Sequence, residues 1–222
     1  YHEENKDSQL LDMVEKTLVQ MYRGGIFDHI GGGFSRYSTD ERFLAPHFEK
    51  MLYDNALLIM AYCKAYELTK NELYKEVAIR TADYVLREMT SSDGGGYSAQ
   101  DADSEGVEGK YYLFDKREVI KVLGEEKGTE FCDFYDVSDE GNFEGKNIVN
   151  LLKNENIQDD FADEKKKLYE NRKKRYHLHL DDKILTSWNG LMIGAMCHMY
   201  KMTEDETYLE CAAKAWDFIQ NN

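Results

Sequence analysis

Thirteen residues, PHFEKMLYDNALL (46–58), set a histidine, both signs of charge, a tyrosine and an aspartate at the start of an apolar run. His47 with Glu49 or Asp54 makes a sensible acid–base pair, because a neighbouring carboxylate tunes an imidazole toward proton exchange near neutral pH. The same residues have a purely structural reading, in which Asp54 or Asn55 caps the following helix and His47 braces the loop before it. That loop belongs to the stretch GGGFSRYSTDERFLAPHFEKMLYD (31–54), which adds Arg36, Tyr37, Asp40, Arg42 and Lys50. Connections this long inside a compact domain usually carry function. A second set of similar character, Asp181, Asp182, Lys183, Thr186, Ser187 and Trp188, precedes another apolar run that opens with Asn189. Ser187 or Asn189 is the corresponding candidate cap.

A third cluster is DADSEG (101–106). Asp101, Asp103, Glu105 and Gly106 imitate the opening of a calcium loop, but the twelfth position is Tyr112, where a bidentate glutamate is needed. As paired carboxylates near Tyr97 and Tyr111, Asp101 and Asp103 suit glycoside chemistry, in which two acids flank a sugar and aromatic rings stack on it. As a solvated tip, they supply ordinary turn chemistry. Neither reading requires a cofactor or a metal.

Several function classes drop out. GGGFSR lacks the Lys-Ser/Thr of a phosphate loop, and no Gly-x-Ser-x-Gly occurs. The cysteines at 63, 132, 197 and 211 show no Cys-x-x-Cys and no metal-ligand spacing. Cys63 and Cys197 fall in apolar helical runs and read as small buried hydrophobes, a pattern that fits a reducing cytoplasm. A formal charge of −15 repels phosphate backbones and anionic membranes, so neither nucleic acid nor a membrane surface is an expected partner. The basic middle of 163–183 reads as a solvated helix, and no apolar run reaches membrane-span length.

The elements that must position these residues are helical. The chain has one proline, and its long segments are rich in Leu, Met, Ala, Lys and Glu. Helices are expected at 8–23, 53–68, 71–90, 115–123, 125–136, 160–174, 189–203 and 205–220. The first places Leu11, Val14, Leu18 and Met21/Tyr22 on one face. Residues 94–115 read as a β-hairpin and 141–152 as a further short extended pair. Residues 55–86 align without a gap on 189–220, with twelve of 32 positions identical, Asn55/Asn189 and Cys63/Cys197 among them. Each copy is a nearly all-apolar helix, a polar turn and a more amphipathic helix. That is the αα-hairpin pattern of ring-closed helix pairs, with the apolar helix inside. Inner helices sharing one direction would gather their N-termini, and the polar residues before them, at one end.

Three blocks carry a resemblance: GGGFSRYSTDERFLAPHFEKMLYDNALL, YSAQDADSEGVEGKYYLFDKREV and DDKILTSWNGLMIGA. In this order they resemble a thioredoxin-domain-containing family that includes the spermatogenesis-associated thioredoxin-like proteins and bacterial homologues. The resemblance covers most of residues 10–220. It implies an all-α, incomplete (α/α)6 toroid similar to six-hairpin glycosidases and N-acylglucosamine 2-epimerase, with a small β-hairpin insertion. It also implies a thioredoxin-like domain elsewhere in the parent protein, and a sugar or other small molecule as ligand. Residues 1–222 are read as one domain, a piece of that toroid, whose open apolar edge is expected to self-associate. The expected site has His47, Glu49, Asp101 and Asp103 as acid–base groups, and Arg36, Tyr37, Lys50, Tyr53, Asp54, Trp188 and Asn189 as ligand contacts. The rival expectation is a non-catalytic scaffold that docks a protein or the thioredoxin-like domain.

Overall fold

The apolar spacing of residues 8–23 becomes helix α1 (Ser8–Arg23), which buries Leu18 and Tyr22. Val14, expected on the same face, stays half exposed. The computed structural model describes residues 8–157 and 160–222. Seven more helices follow among the described residues: α2 (Leu52–Thr69), α3 (Glu72–Glu88), α4 (Lys116–Leu123), α5 (Glu125–Phe134), α6 (Ala162–Arg175), α7 (Thr186–Thr203) and α8 (Glu206–Asn221).

Helices α2 and α7 form the centre. They pack along each other, and each turns back into its own partner, α2 into α3 and α7 into α8. Two pairs of contacts fix their relative direction. Tyr53 meets Trp188 near the helix starts, with ring centroids 4.7 Å apart, and Cys63 Sγ lies 3.5 Å from Met199 Sδ near the ends. The two inner helices therefore run parallel, and their N-termini share one end of the molecule. Ile59 and Tyr62 on α2, and Ala195, Met196 and Met199 on α7, are closed off completely. Burying a side chain of the size of Ile59 is worth about 1.5–3 kcal/mol.

The two hairpins use the same local devices. α2 ends on Lys70 at φ 58° and α7 on Glu204 at φ 60°, the left-handed conformation that ends many helices. Asn71 and Asp205 then cap α3 and α8 by accepting from Leu73 N and Thr207 N. Tyr66 and Tyr200 each donate to the glutamate of the following helix, Glu72 and Glu206. At the other ends, α2 and α7 start at Leu52 and Thr186 without a side-chain cap. Asp54, Asn55, Ser187 and Asn189 are thus not caps; they lie inside the first turn and are free for other contacts.

Short strands sit around the N-termini of the inner helices. β1 (Tyr37–Ser38) pairs with β2 (Pro46–His47). β3 (Lys50–Met51), β4 (Ala99–Gln100) and β7 (Leu180–Asp181) make a three-stranded sheet that ties the approaches to α2 and α7 together. The expected hairpin over 94–115 is smaller than its aromatic pattern suggested. Only β5 (Asp103–Ser104) and β6 (Val107–Glu108) pair with each other, while β4 joins the sheet. Residues 141–152 carry isolated bridges rather than a strand pair, Phe143 to Lys146 and Asn147 to Phe114. Cys63 is buried as expected, but Cys197 is exposed, because no element among the described residues covers it. No helix among the described residues is long and apolar enough to cross a membrane.

Candidate functional site

The surface around the N-terminal ends of α2 and α7, called the mouth below, collects most of the residues singled out by the sequence. The β1–β2 register sets Tyr37 opposite His47, and their rings stack with centroids 5.0 Å apart. His47 Nδ1 donates to Glu108 Oε1 at 2.6 Å, while its Nε2 lies 3.8 Å from Glu49 Oε2. Glu49 in turn accepts from Arg36 Nη1 at 3.0 Å, and Arg36 N donates to Glu49 O at 2.7 Å. Its hydrogen bonds to Glu49 and then Tyr53 hold the Arg36 guanidinium above its usual pKa. Arg36, His47 and Glu49 all stay partly open to solvent.

Asp54 is the unusual group. It sits one residue beyond Tyr53, half-buried, and its Oδ2 is shielded from water with no hydrogen-bond partner. Burial pushes its carboxyl from the ordinary 3.8 up to about 6, Arg36 and Tyr53 oppose that rise, and Glu49 adds to it. A carboxyl at about 6 exchanges protons readily near neutral pH. Tyr53 and Trp188, edge to face, form an aromatic wall contributed by both inner helices.

Two residues expected at the ligand are built into the scaffold instead. Lys50 is 1% exposed and its Nζ donates to Asp28 Oδ2 at 2.9 Å and Gly32 O at 2.7 Å, with the Tyr84 ring 4.3 Å away. Its place in β3 turns it into the core, so burial lowers its pKa to about 8 against the pull of Asp28. Arg172, from α6, completes this buried cluster with two bonds to Asp28, at 3.0 and 2.8 Å. Burial alone would raise the Asp28 carboxyl, but Arg172 and Lys50 hold it well below the usual carboxylate range. Asp28 also accepts from Ile30 N and Gly31 N, which shapes the glycine-rich loop. Within that loop Gly33 has φ +78° and its Cα abuts the Tyr84 ring, leaving no room for a Cβ.

Asn189 is 1% exposed and grips a loop rather than a ligand. Its Oδ1 accepts from Gly96 N at 2.6 Å, and its Nδ2 donates to Gly96 O at 2.9 Å and Leu185 O at 3.1 Å. Asn55 does the same on α2, accepting from Phe34 N at 2.8 Å and donating to Phe34 O at 3.1 Å and Met51 O at 2.9 Å. This shared task gives a physical reason for the asparagine common to both sequence copies.

The remaining acids lie around the rim. The β3–β4 register, continued by one residue, sets Asp101 across from Glu49, and Asp101 N donates to His179 O at 2.9 Å. Asp101 Oδ1 accepts from Asp103 N, so it also shapes the turn. Asp103 is exposed on the hairpin, and Glu105 pairs with Lys110 at 2.6 Å. Among the described residues no group of three His, Cys, Asp or Glu side chains converges as a metal site. Sequence reasoning missed Glu108, which lies 61 positions from the histidine it holds. It also missed Asp28, although an aspartate followed by loop N–H groups in IFDHIGGG is a recognisable turn signal.

No family model matches the chain. Over 98% of its length it is 34% identical to an uncharacterized protein of Caenorhabditis elegans, and over 84% it is 36% identical to spermatogenesis-associated protein 20 of Homo sapiens. The chain spans about a third of the length of these relatives, 35% and 28% respectively. Among solved structures it superposes on a family 76 glycoside hydrolase from a bovine Bacteroides thetaiotaomicron strain, with a TM-score of 0.56 at 16% identity, over 97% of this chain and 31% of that one. A family 76 mannosidase from Bacteroides thetaiotaomicron gives 0.54 at 15% identity, over 97% and 39%. The fold is part of an (α/α)6 toroid. At such identity the likeness is one of architecture, and the chemistry of the mouth has to be argued from its own residues.

Proposed function

We propose that the mouth between α2 and α7 binds a carbohydrate and that Asp54 and His47 exchange protons with it. The observation that carries this reading is Asp54, a carboxyl raised to about 6 by burial, beside the wall made by Tyr53 and Trp188. A sugar presents an apolar ring face and a rim of hydroxyls, and an aromatic wall flanked by fixed polar groups matches both. Arg36 and Glu49, bonded to each other, offer a donor and an acceptor at fixed positions. Glu108 holds His47 by Nδ1 and leaves Nε2 on the side of Glu49. The two family 76 glycoside hydrolases that share the fold lend the reading support.

In this scheme Asp54 acts as the proton donor and must be protonated, so turnover falls as pH rises through about 6. The test is calorimetric titration of the full-length protein with neutral hexoses, hexosamines and uronic acids. Saturable heat with one class, lost in Trp188→Ala and weakened in Asp54→Asn, supports the reading. Silence across the panel refutes it and leaves the scaffold role, in which His47→Ala changes stability and no activity.

A further inference from the structure

The three-stranded sheet has a second side. The register puts Lys50, Gln100 and Leu180 on one face, turned away from Glu49, Asp101 and His179. Beyond Gln100, between the end of α3 and the end of α6, lies a cleft of about 240 Å³ lined by Glu88, Gln100, Tyr111, Lys173, Tyr176 and His177, among others. None of these residues takes part in the mouth.

Two of its polar groups are held in place by neighbouring side chains. Gln100 Oε1 accepts from the Tyr84 hydroxyl at 3.1 Å and the Tyr112 hydroxyl at 3.5 Å, and both tyrosines are buried. The amide oxygen is thereby used up, and Nε2 is the polar atom that Gln100 offers the cleft. Glu88 Oε1 accepts from Arg87 Nε at 2.8 Å and from the Tyr169 hydroxyl, and among the described residues no donor reaches Oε2, which is the acceptor left over. A donor and an acceptor with locked orientations, beside the tyrosine rings, form a built recognition pair rather than a solvated surface. Neither group is needed to satisfy the other, since each already has its own partners.

The charges select the ligand class. Glu88 is already neutralised by Arg87, and Lys173 on α6 stands at the exposed rim where solvent screens it, so the fixed groups of the cleft carry no unbalanced charge. Adjacent hydroxyls, each able to donate and accept, match one fixed acceptor and one fixed donor. A cleft of about 240 Å³ has room for one sugar ring. We infer that this cleft is a second binding site, for a neutral polyhydroxylated molecule, on the side of the sheet opposite the mouth. It does not depend on the mouth being a sugar site.

The test is residue-resolved. The full chain, labelled with ¹⁵N, is titrated with D-glucose, D-mannose and myo-inositol in the millimolar range, and the side-chain NH₂ signals of Gln100 are followed. Saturable shifts there, retained in Asp54→Asn, are the expected result. Gln100→Glu keeps acceptors for Tyr84 and Tyr112 but removes the donor, so affinity drops by about tenfold without loss of fold. Lys173→Ala, at the exposed rim, changes affinity far less. Unmoved Gln100 signals, equal binding in Gln100→Glu, or shifts produced by sodium sulfate and not by the polyols would overturn the inference. Mouth signals that move while Gln100 stays still would leave the proposed function standing and sink this site alone.

Discussion

Replacing Asp54 by asparagine keeps the shape and removes the charge. Raising a carboxyl from the ordinary 3.8 to about 6 means that ionising it in the folded state costs about 3 kcal/mol, at about 1.4 kcal/mol per pKa step. Asp54 is only half-buried, so solvent screening reduces that to about 1–2 kcal/mol. The sign follows from proton linkage. Well below pH 3.8 the carboxyl is protonated in both folded and unfolded chains, and no penalty exists. As pH climbs toward 6 the unfolded chain releases the proton first, so the wild type loses stability that Asp54→Asn keeps. At pH 8 the variant should melt higher by roughly 3–6 °C, given that about 1 kcal/mol moves a domain of this size by 2–4 °C. At about pH 3, below the unfolded value of 3.8, the two should melt together. Thermal scans at both pH values decide the matter. A variant that melts lower at pH 8, or by the same margin at both, would show that Asp54 is a structural partner of Arg36 and not a strained carboxyl. Together with weaker sugar binding, higher stability would mark a residue kept at a cost to the fold.

Other perturbations have clear directions. Asp28→Asn strips the counter-charge from Lys50 and Arg172, which are nearly closed off from water, and should cost about 3–5 kcal/mol by urea denaturation. Asn189→Ala leaves the N–H and C=O of Gly96 without their partner in a closed site and should cost about 2–4 kcal/mol. Asn55→Ala should cost a similar amount, and the double variant the sum, because the two residues hold different loops.

The helices were readable because their apolar spacing is local, and the repeat made the relation of 55–86 to 189–220 visible before any coordinates. Tyr53, Trp188, His47 and Arg36 could be nominated for the mouth because each precedes or enters an inner helix. What spacing could not show is which way a side chain turns. Lys50 and Glu49 are neighbours, yet one goes to the core and the other to the mouth, a choice made by strand alternation in β3 and by the presence of Asp28. The buried cluster joins positions 22 and 144 residues apart in the chain, a separation that carries no local signature. The hairpin was overextended for a related reason: the aromatic residues around it pack on Phe48 and Arg172 rather than on each other's strands.

The grip of Asn55 on Phe34, and of Asn189 on Gly96, passes entirely through main-chain atoms of the held residue. A clamp of that kind reads no side chain, although Gly96 has no room for a Cβ beside Leu52 and Asn189 and the Phe34 ring is locked in the core. The loop paths beside the mouth thus hang on two asparagines rather than on the exposed side chains of the rim, so a substitution at Tyr37 or His47 changes what the rim offers without releasing either anchor.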